Sequence, residues 1–166
     1  LISRISSDKA LLIFGPRTGA KVGNMKIPKK LPPNIDLVKS RIVRVETLPP
    51  NESLDIDPFG NANRYIETLK LDSNASPYLK LKSGKVIATR EGSGAIYLGA
   101  MVDQDGLTAF YQKLFEEIEL DFILMPDGVR RRCTENEEFW FNYNDKVMQT
   151  KIGDMQPADV IRLQLV

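Results

Sequence analysis

Gly15-Pro16-Arg17-Thr18-Gly19-Ala20-Lys21 holds the residue types that come closest to a ligand cradle in this 166-residue chain. The apolar run Leu11–Phe14 feeds directly into this loop, with its two glycines and two cations. Such strand-to-loop junctions are where many α/β proteins hold an anion or a ligand. Arg17, Lys21 and free backbone N–H groups could bind one here, but the spacing argues against phosphate chemistry. A phosphate loop places four residues between its glycines, then Lys, then a hydroxyl residue that opens a helix. Here Pro16, Arg17 and Thr18 are all that separate Gly15 from Gly19, Ala20 precedes Lys21, and Val22 stands where the hydroxyl is needed. Pro28, Pro32 and Pro33 follow, so no long helix opens at this junction. The simpler reading is a structural loop that carries the chain off a strand edge toward a neighbour.

The remaining chemistry-bearing residues have equally plain readings. Glu116-Glu117 and Glu137-Glu138 are adjacent carboxylates. A glycosidase needs two carboxyls facing one sugar ring across a gap of about 5–9 Å, and sequence neighbours do not face each other. Asp55 and Asp57 sit in a Pro-bounded loop and fall short of the six or more oxygens a hard cation takes. Arg130-Arg131-Arg132 on a strand points to alternating faces and makes no single three-arginine patch. Trp140 with Phe139, Phe141 and Tyr143 is either a sugar-stacking platform or the core of a small module, and the module's size favours the core. Gly92-Ser93-Gly94 lies between two β-rich runs and reads as a hairpin turn.

Composition narrows the classes. The chain has no histidine, which removes Ser-His and Cys-His catalysis and the commonest zinc ligand. The single cysteine, Cys133, cannot form an internal disulfide and has no imidazole to activate it. That suits a reducing compartment, and the cytoplasm is the expected location. A formal net charge of +1 points to no nucleic-acid partner. No apolar run approaches the ~20 residues of a membrane-spanning helix, so no membrane partner is expected. No cofactor and no metal are expected.

Periodicity supplies the elements that position these residues. Ala10–Phe14 reads as a strand buried on both faces, residues 1–7 as the last turn of a helix, and Asn34–Lys39 as a short helix. Ile42–Val45 reads as a strand, Leu48–Asn63 as mostly loop, and Tyr65–Leu71 and Tyr78–Leu81 as strands. Val86–Arg90 and Ala95–Leu98 form a hairpin. Leu107, Phe110, Tyr111, Leu114, Phe115 and Ile118 recur with helical spacing behind the capping candidates Asp103 and Asp105, predicting an amphipathic helix. After about Glu119 the pattern becomes short strands and turns. Val129–Thr134, Glu138–Tyr143, Val147–Ile152 and Val160–Val166 are the strands, and Gly153–Asp159 is a loop. The expected fold class is therefore α/β plus all-β, with residues 1–118 as an α/β domain and 119–166 as a small antiparallel β domain.

Taken in order, these segments resemble a family. GPRTGAK after an apolar strand, then Ile27-Pro28 and Leu31-Pro32-Pro33, resembles the GxRSGxKD loop and Pro-rich stretch of glycoside hydrolase family forty-two β-galactosidases. Arg41–Glu46 is similar to the family's VRVxE strand, and Gly92–Gly99 to its YGKGRAxYLGT segment. Residues 122–166 are similar to its C-terminal β module. Thr18 replaces the family's Ser, and Val22 its acidic residue. The resemblance implies that residues 1–118 are the later half of a flavodoxin-like or glutamine-amidotransferase-like trimerisation domain, followed by a small β-sandwich. It implies a homotrimer. It also implies a parent enzyme that hydrolyses terminal β-D-galactosides with retention, through two glutamates of an upstream TIM barrel. No residue of this chain matches those glutamates or the barrel's metal-binding cysteines. The expected role is a non-catalytic fragment serving assembly, which meets a β-galactoside only through that barrel. Arg17 and Lys21 then become candidate contacts to a loop or a neighbouring subunit. A free-standing carbohydrate-binding or protein-interaction module is the alternative, and the exposure of Trp140 separates the two.

Overall fold

The computed structural model describes residues 11–29, 33 and 35–165, in two compact units, Leu1–Glu119 and Leu120–Val166. The expected helical turn at residues 1–7 lies outside the described residues, as do Ala10 and Asn34. The chain is mostly β with one described helix.

The first unit is built on one eight-stranded mixed sheet. Its strands are β1 (Ile13–Phe14), β2 (Arg41–Thr47), β3 (Ser53–Asp57), β4 (Asn61–Lys70), β5 (Ser76–Leu81), β6 (Val86–Arg90), β7 (Ile96–Leu98) and β8 (Ala100–Val102). The order is β1-β7-β6-β5-β3-β4-β2, with β8 pairing β4. The β1–β7 pair is parallel, Ile13 opposite Ile96, whereas the other pairings are antiparallel. The hairpin expected at Gly92–Gly94 is present, with Thr89 opposite Tyr97. A flavodoxin-like sheet of parallel strands is not what these residues display.

Three local expectations need correction. β1 lies at the sheet edge, so Ile13 is 38% exposed rather than covered on both faces. Residues 35–39 form a turn instead of a helix: the Val38 N–H donates to the Ile35 carbonyl and no helical ladder follows. The stretch 48–63 is not mainly loop. β3 fits between Pro50 and Pro58, and β4 begins at Asn61, because the prolines fall in the flanking turns, where a missing N–H costs no ladder bond. Gly60 closes the β3–β4 connection at φ +89°, and a Cβ there would stand 2.2 Å from the backbone nitrogen of Gly106.

That close approach sets the start of α1 (Gln104–Glu117). Asp103 caps it: its Oδ1 accepts from the Gly106 N–H at 2.8 Å and from the Asn61 N–H at 2.9 Å. Its Oδ2 accepts from the Asn61 side-chain amide at 3.0 Å. One carboxylate thus fastens the helix start to the start of β4. Burial disfavours its charge, but the combined donors outweigh that and hold the Asp103 carboxyl below the usual range. Phe110 and Leu114 reach the core beside Ile56, Ile66, Ile87 and Leu98, and Phe110 meets Tyr78 edge to face at 5.3 Å. Full burial of a side chain such as Phe110 contributes roughly 1.5–3 kcal/mol. The apolar face of α1 is broader than its contact with the sheet, so Leu107, Tyr111 and Ile118 stay exposed.

The second unit holds two small antiparallel sheets. β13 (Val160–Gln164), β10 (Glu137–Asn142) and β9 (Val129–Cys133) form one, and β11 (Met148–Thr150) with β12 (Gly153–Met155) the other. The segment 153–159, expected as loop, therefore begins with a strand. Val129, Trp140 and Met155 are fully buried between them, with Ile161 and Leu163 packed alongside, a small sandwich-like core.

Candidate functional site

The loop after β1 is held from beneath by a buried carboxylate. Glu67, in the middle of β4, is 1% exposed. Its Oε2 accepts from the Tyr97 hydroxyl at 2.6 Å. Its Oε1 accepts from the Tyr65 hydroxyl at 2.7 Å and from the Arg17 backbone N–H at 3.3 Å. Gly99 makes room for this side chain, since a Cβ there would lie 3.1 Å from that of Glu67. The acceptor pattern explains the phenols. Burial, then hydrogen bonding to Glu67, pushes Tyr65 up to about 12, and the same two causes push Tyr97 higher still. Both therefore stay protonated and act as donors.

Arg17 takes a left-handed backbone, φ +65°, above this socket, and its guanidinium lies 5.8 Å from the Tyr65 ring centroid. Thr18 closes the turn by donating from its hydroxyl to the Gly15 carbonyl at 2.7 Å. The structure therefore joins Arg17 to Tyr65, Glu67 and Tyr97. Lys21 is exposed and shares none of these contacts. The three sheet residues escape a sequence reading because Tyr65 and Glu67 alternate with Ile66 like any half-buried strand. Only the pairing of β1 with β7 brings residue 17 to residue 67.

A second buried carboxylate repeats the device. Glu91 accepts from the Thr89 hydroxyl at 2.6 Å and from the Lys39 and Ser40 N–H groups at 2.9 and 3.2 Å. Both carboxylates are enclosed and saturated by donors, so neither can serve a substrate as base or nucleophile. A cavity of about 660 Å³ is lined by Asn51, Glu52, Asn63, Arg64 and Asp103. Asp103 is occupied as the helix cap, which leaves Glu52 unpaired with a second catalytic carboxyl. Among the described residues no group of three or more His, Cys, Asp or Glu is arranged to hold a metal.

In the second unit Trp140 is 1% exposed and its indole N–H donates to Glu138 at 2.8 Å, so it offers no stacking platform. Phe139, Phe141 and Tyr143 lie on the opposite side of β10, outside the core to which the sequence reading assigned them. Arg131 turns inward to pair with Glu138, while Arg130 and Arg132 face out. Glu137 pairs with Arg162, and Cys133 is free and exposed. Asp55 is spent on Lys82 at 3.3 Å.

Residues 128–165 match the family model described as the β-galactosidase C-terminal domain. The chain is 31% identical over 151 residues to a β-galactosidase of Thermus thermophilus, covering 86% of this chain and 22% of that protein. It is 30% identical over 145 residues to the β-galactosidase BgaA of a Thermus species, again covering 22% of the relative. Among solved structures, the β-galactosidase of the psychrophilic Marinomonas ef1 superposes with a TM-score of 0.81 at 29% identity, over 98% of this chain and 26% of that one. The β-galactosidase of Halorubrum lacusprofundi shares the fold at 19% identity, with a TM-score of 0.79 over 98% of this chain and 28% of its own. The chain thus spans about a fifth to a quarter of the length of these relatives. Among the described residues no helix is long and apolar enough to cross a membrane.

Proposed function

From its place in the C-terminal region of the glycoside hydrolase family forty-two β-galactosidases, we propose that this chain is a non-catalytic assembly part of such a hydrolase. The first unit is the later half of the family's α/β trimerisation domain, and the second is its C-terminal β domain. The parent enzyme hydrolyses terminal β-D-galactosides in the cytoplasm, with its chemistry in a barrel outside this chain. The observation that carries this reading is the state of the carboxylates. Glu67, Glu91 and Glu138 are buried and committed to tyrosines, a threonine, backbone amides, arginine and tryptophan. Retaining hydrolysis needs two carboxyls free to face one sugar ring. Arg17 supports the assembly role, because the sheet spends a buried acid on placing its backbone.

Two measurements test the proposal. Incubated with a chromogenic β-galactoside, the 166-residue chain is expected to give no turnover above buffer; turnover abolished by a substitution in this chain would overturn the non-catalytic reading. In sedimentation it is expected to form a trimer, and a monomer at every accessible concentration would overturn the assembly role.

A further inference from the structure

Two sequence motifs of the second unit, the arginine run and the aromatic run, share the outer face of the β13-β10-β9 sheet. Phe139 lies between Arg132 and Arg162, and Phe141 between Arg130 and Val160. Side chains alternate along a strand, so Arg131 turns inward to Glu138 while Arg130 and Arg132 stay on the aromatic side. Tyr143 continues the row just past β10. Its ring lies 6.0 Å from that of Phe141 and 12° from parallel, and the residue is 71% exposed. At about 3.4 Å per residue, the row from Phe139 to Tyr143 runs about 14 Å. The stacking surface that Trp140 does not offer is therefore present on the other side of the same strand.

The charges of this face are unbalanced. Glu137 is held by Arg162, whose guanidinium also lies 5.9 Å from the Phe139 ring centroid. Arg130 donates to the Val129 carbonyl at 2.8 Å and Arg132 to the Arg131 carbonyl at 3.4 Å, each through one nitrogen. Both are exposed, and among the described residues neither forms an ion pair. These contacts steady the side-chain stems and leave the rest of each guanidinium open.

A contiguous exposed row of rings marks a binding surface. Size and charge decide what fits it. Three strands at about 4.8 Å spacing and six residues at about 3.4 Å cover about 300 Å². A stable protein partner takes about 800 Å² from each side, so this face is too small for one. Tight nucleic-acid binding takes several phosphate contacts, and Arg130 and Arg132 supply too few. Near-parallel rings with negative faces suit the C–H groups of a pyranose. Open guanidinium forks suit carboxylates. Rings and forks side by side match a sugar chain whose residues carry carboxylates.

We infer that this outer face binds a short acidic oligosaccharide, its pyranose rings stacked on Phe141 and Tyr143 and its carboxylates paired with Arg130 and Arg132. The site lies wholly within the second unit and does not depend on the assembly role.

Isothermal titration calorimetry of the 166-residue chain with a galacturonate trisaccharide tests it. A neutral galactose trisaccharide and a short single-stranded oligothymidylate are the controls. The acidic sugar is expected to bind at least about tenfold more tightly than either control. Phe141→Ala with Tyr143→Ala should weaken it by about tenfold or more, and Tyr143→Ala alone should act in the same direction. Arg130→Gln with Arg132→Gln should remove the preference for the acidic sugar over the neutral one, and the corresponding lysine pair should keep part of it. All four side chains lie outside the Trp140 core, so unchanged Trp140 fluorescence reports a folded second unit. Absence of binding by the acidic sugar, equal affinity for the neutral one, tighter binding of the oligothymidylate, or folded variants that bind like the wild type would each overturn the assignment.

Discussion

The two units bury carboxylates and neutralise them by opposite means. In the first, Glu67 and Glu91 are satisfied by tyrosine and threonine hydroxyls and by backbone amides, and among the described residues neither acid forms an ion pair. In the second, Glu138 meets Arg131 and the Trp140 indole, and Glu137 meets Arg162 and Gln164. The difference follows from size. An eight-stranded sheet can surround an acid on every side with its own polar groups, and those donors also tether the loops at residues 17 and 39–40. A three-stranded sheet leaves its strand ends near water, where long guanidinium stems reach across from neighbouring strands. The acids of the first unit fasten loops to a sheet. Those of the second fasten strands to each other.

The sharpest way to separate the units is to empty one core. Trp140→Ala should destabilise the second unit by about 3–5 kcal/mol, read by hydrogen exchange of β9, β10 and β13, with the strands of the first unit unchanged. Equal loss of protection in both units would show that they do not unfold separately. Next in size is Glu67→Gln, which turns an amide N–H toward a donor hydroxyl and should cost about 1–3 kcal/mol. Trypsin cleavage at Arg17 and Lys21 should accelerate with it. Glu138→Gln should cost less, about 1 kcal/mol, because its Arg131 partner is partly solvated. The reverse order would break the comparison.

A further prediction concerns pH. Arg131 and Arg162 hold the Glu138 and Glu137 carboxyls below their usual range. Their stabilisation is present above the unfolded value of about 4.3 and is lost as pH falls through the folded value. Acid should therefore loosen the second unit, seen in the fluorescence of Trp140, the one tryptophan of the chain. Asp103 gives the first unit an acid-sensitive helix cap as well, through the same sign. Tyr65 is displaced the other way, up to about 12. Its contribution is present below an unfolded value of about 10 and is lost as pH rises toward the folded one. Tyrosinate absorbance and cleavage at Arg17 should then rise together, and a loop that resists alkali while Tyr65 ionises would sever socket from loop. The smallest effect belongs to Lys82→Ala, which removes an exposed pair with Asp55 and should change stability by less than about 0.5 kcal/mol in thermal unfolding.

Much of this organisation is readable in the residues, because local signals act over a few positions. The period of Phe110, Leu114 and their neighbours makes a helix wherever it lies, and Asp103 is a capping residue before any fold exists. The alternation of Trp140 and Asn142 against Phe139 and Phe141 separates two faces of β10. It does not say which face is the core, and the larger aromatic stripe turned out to be the outer one. Pro49, Pro50 and Pro58 conceal β3, since a proline beside a strand and a loop full of prolines look alike.

The sequence by itself determined the helix and its cap, the β6–β7 hairpin, the lack of imidazole chemistry and the mismatch of the Gly15–Lys21 loop with a phosphate cradle. Only the tertiary structure decided what holds that loop in place. Residue 67 is fifty positions from residue 17, and residue 97 is thirty beyond that. No local period couples them, and pairing across the sheet is what brings one carboxylate, two phenols and one backbone N–H within hydrogen-bonding distance.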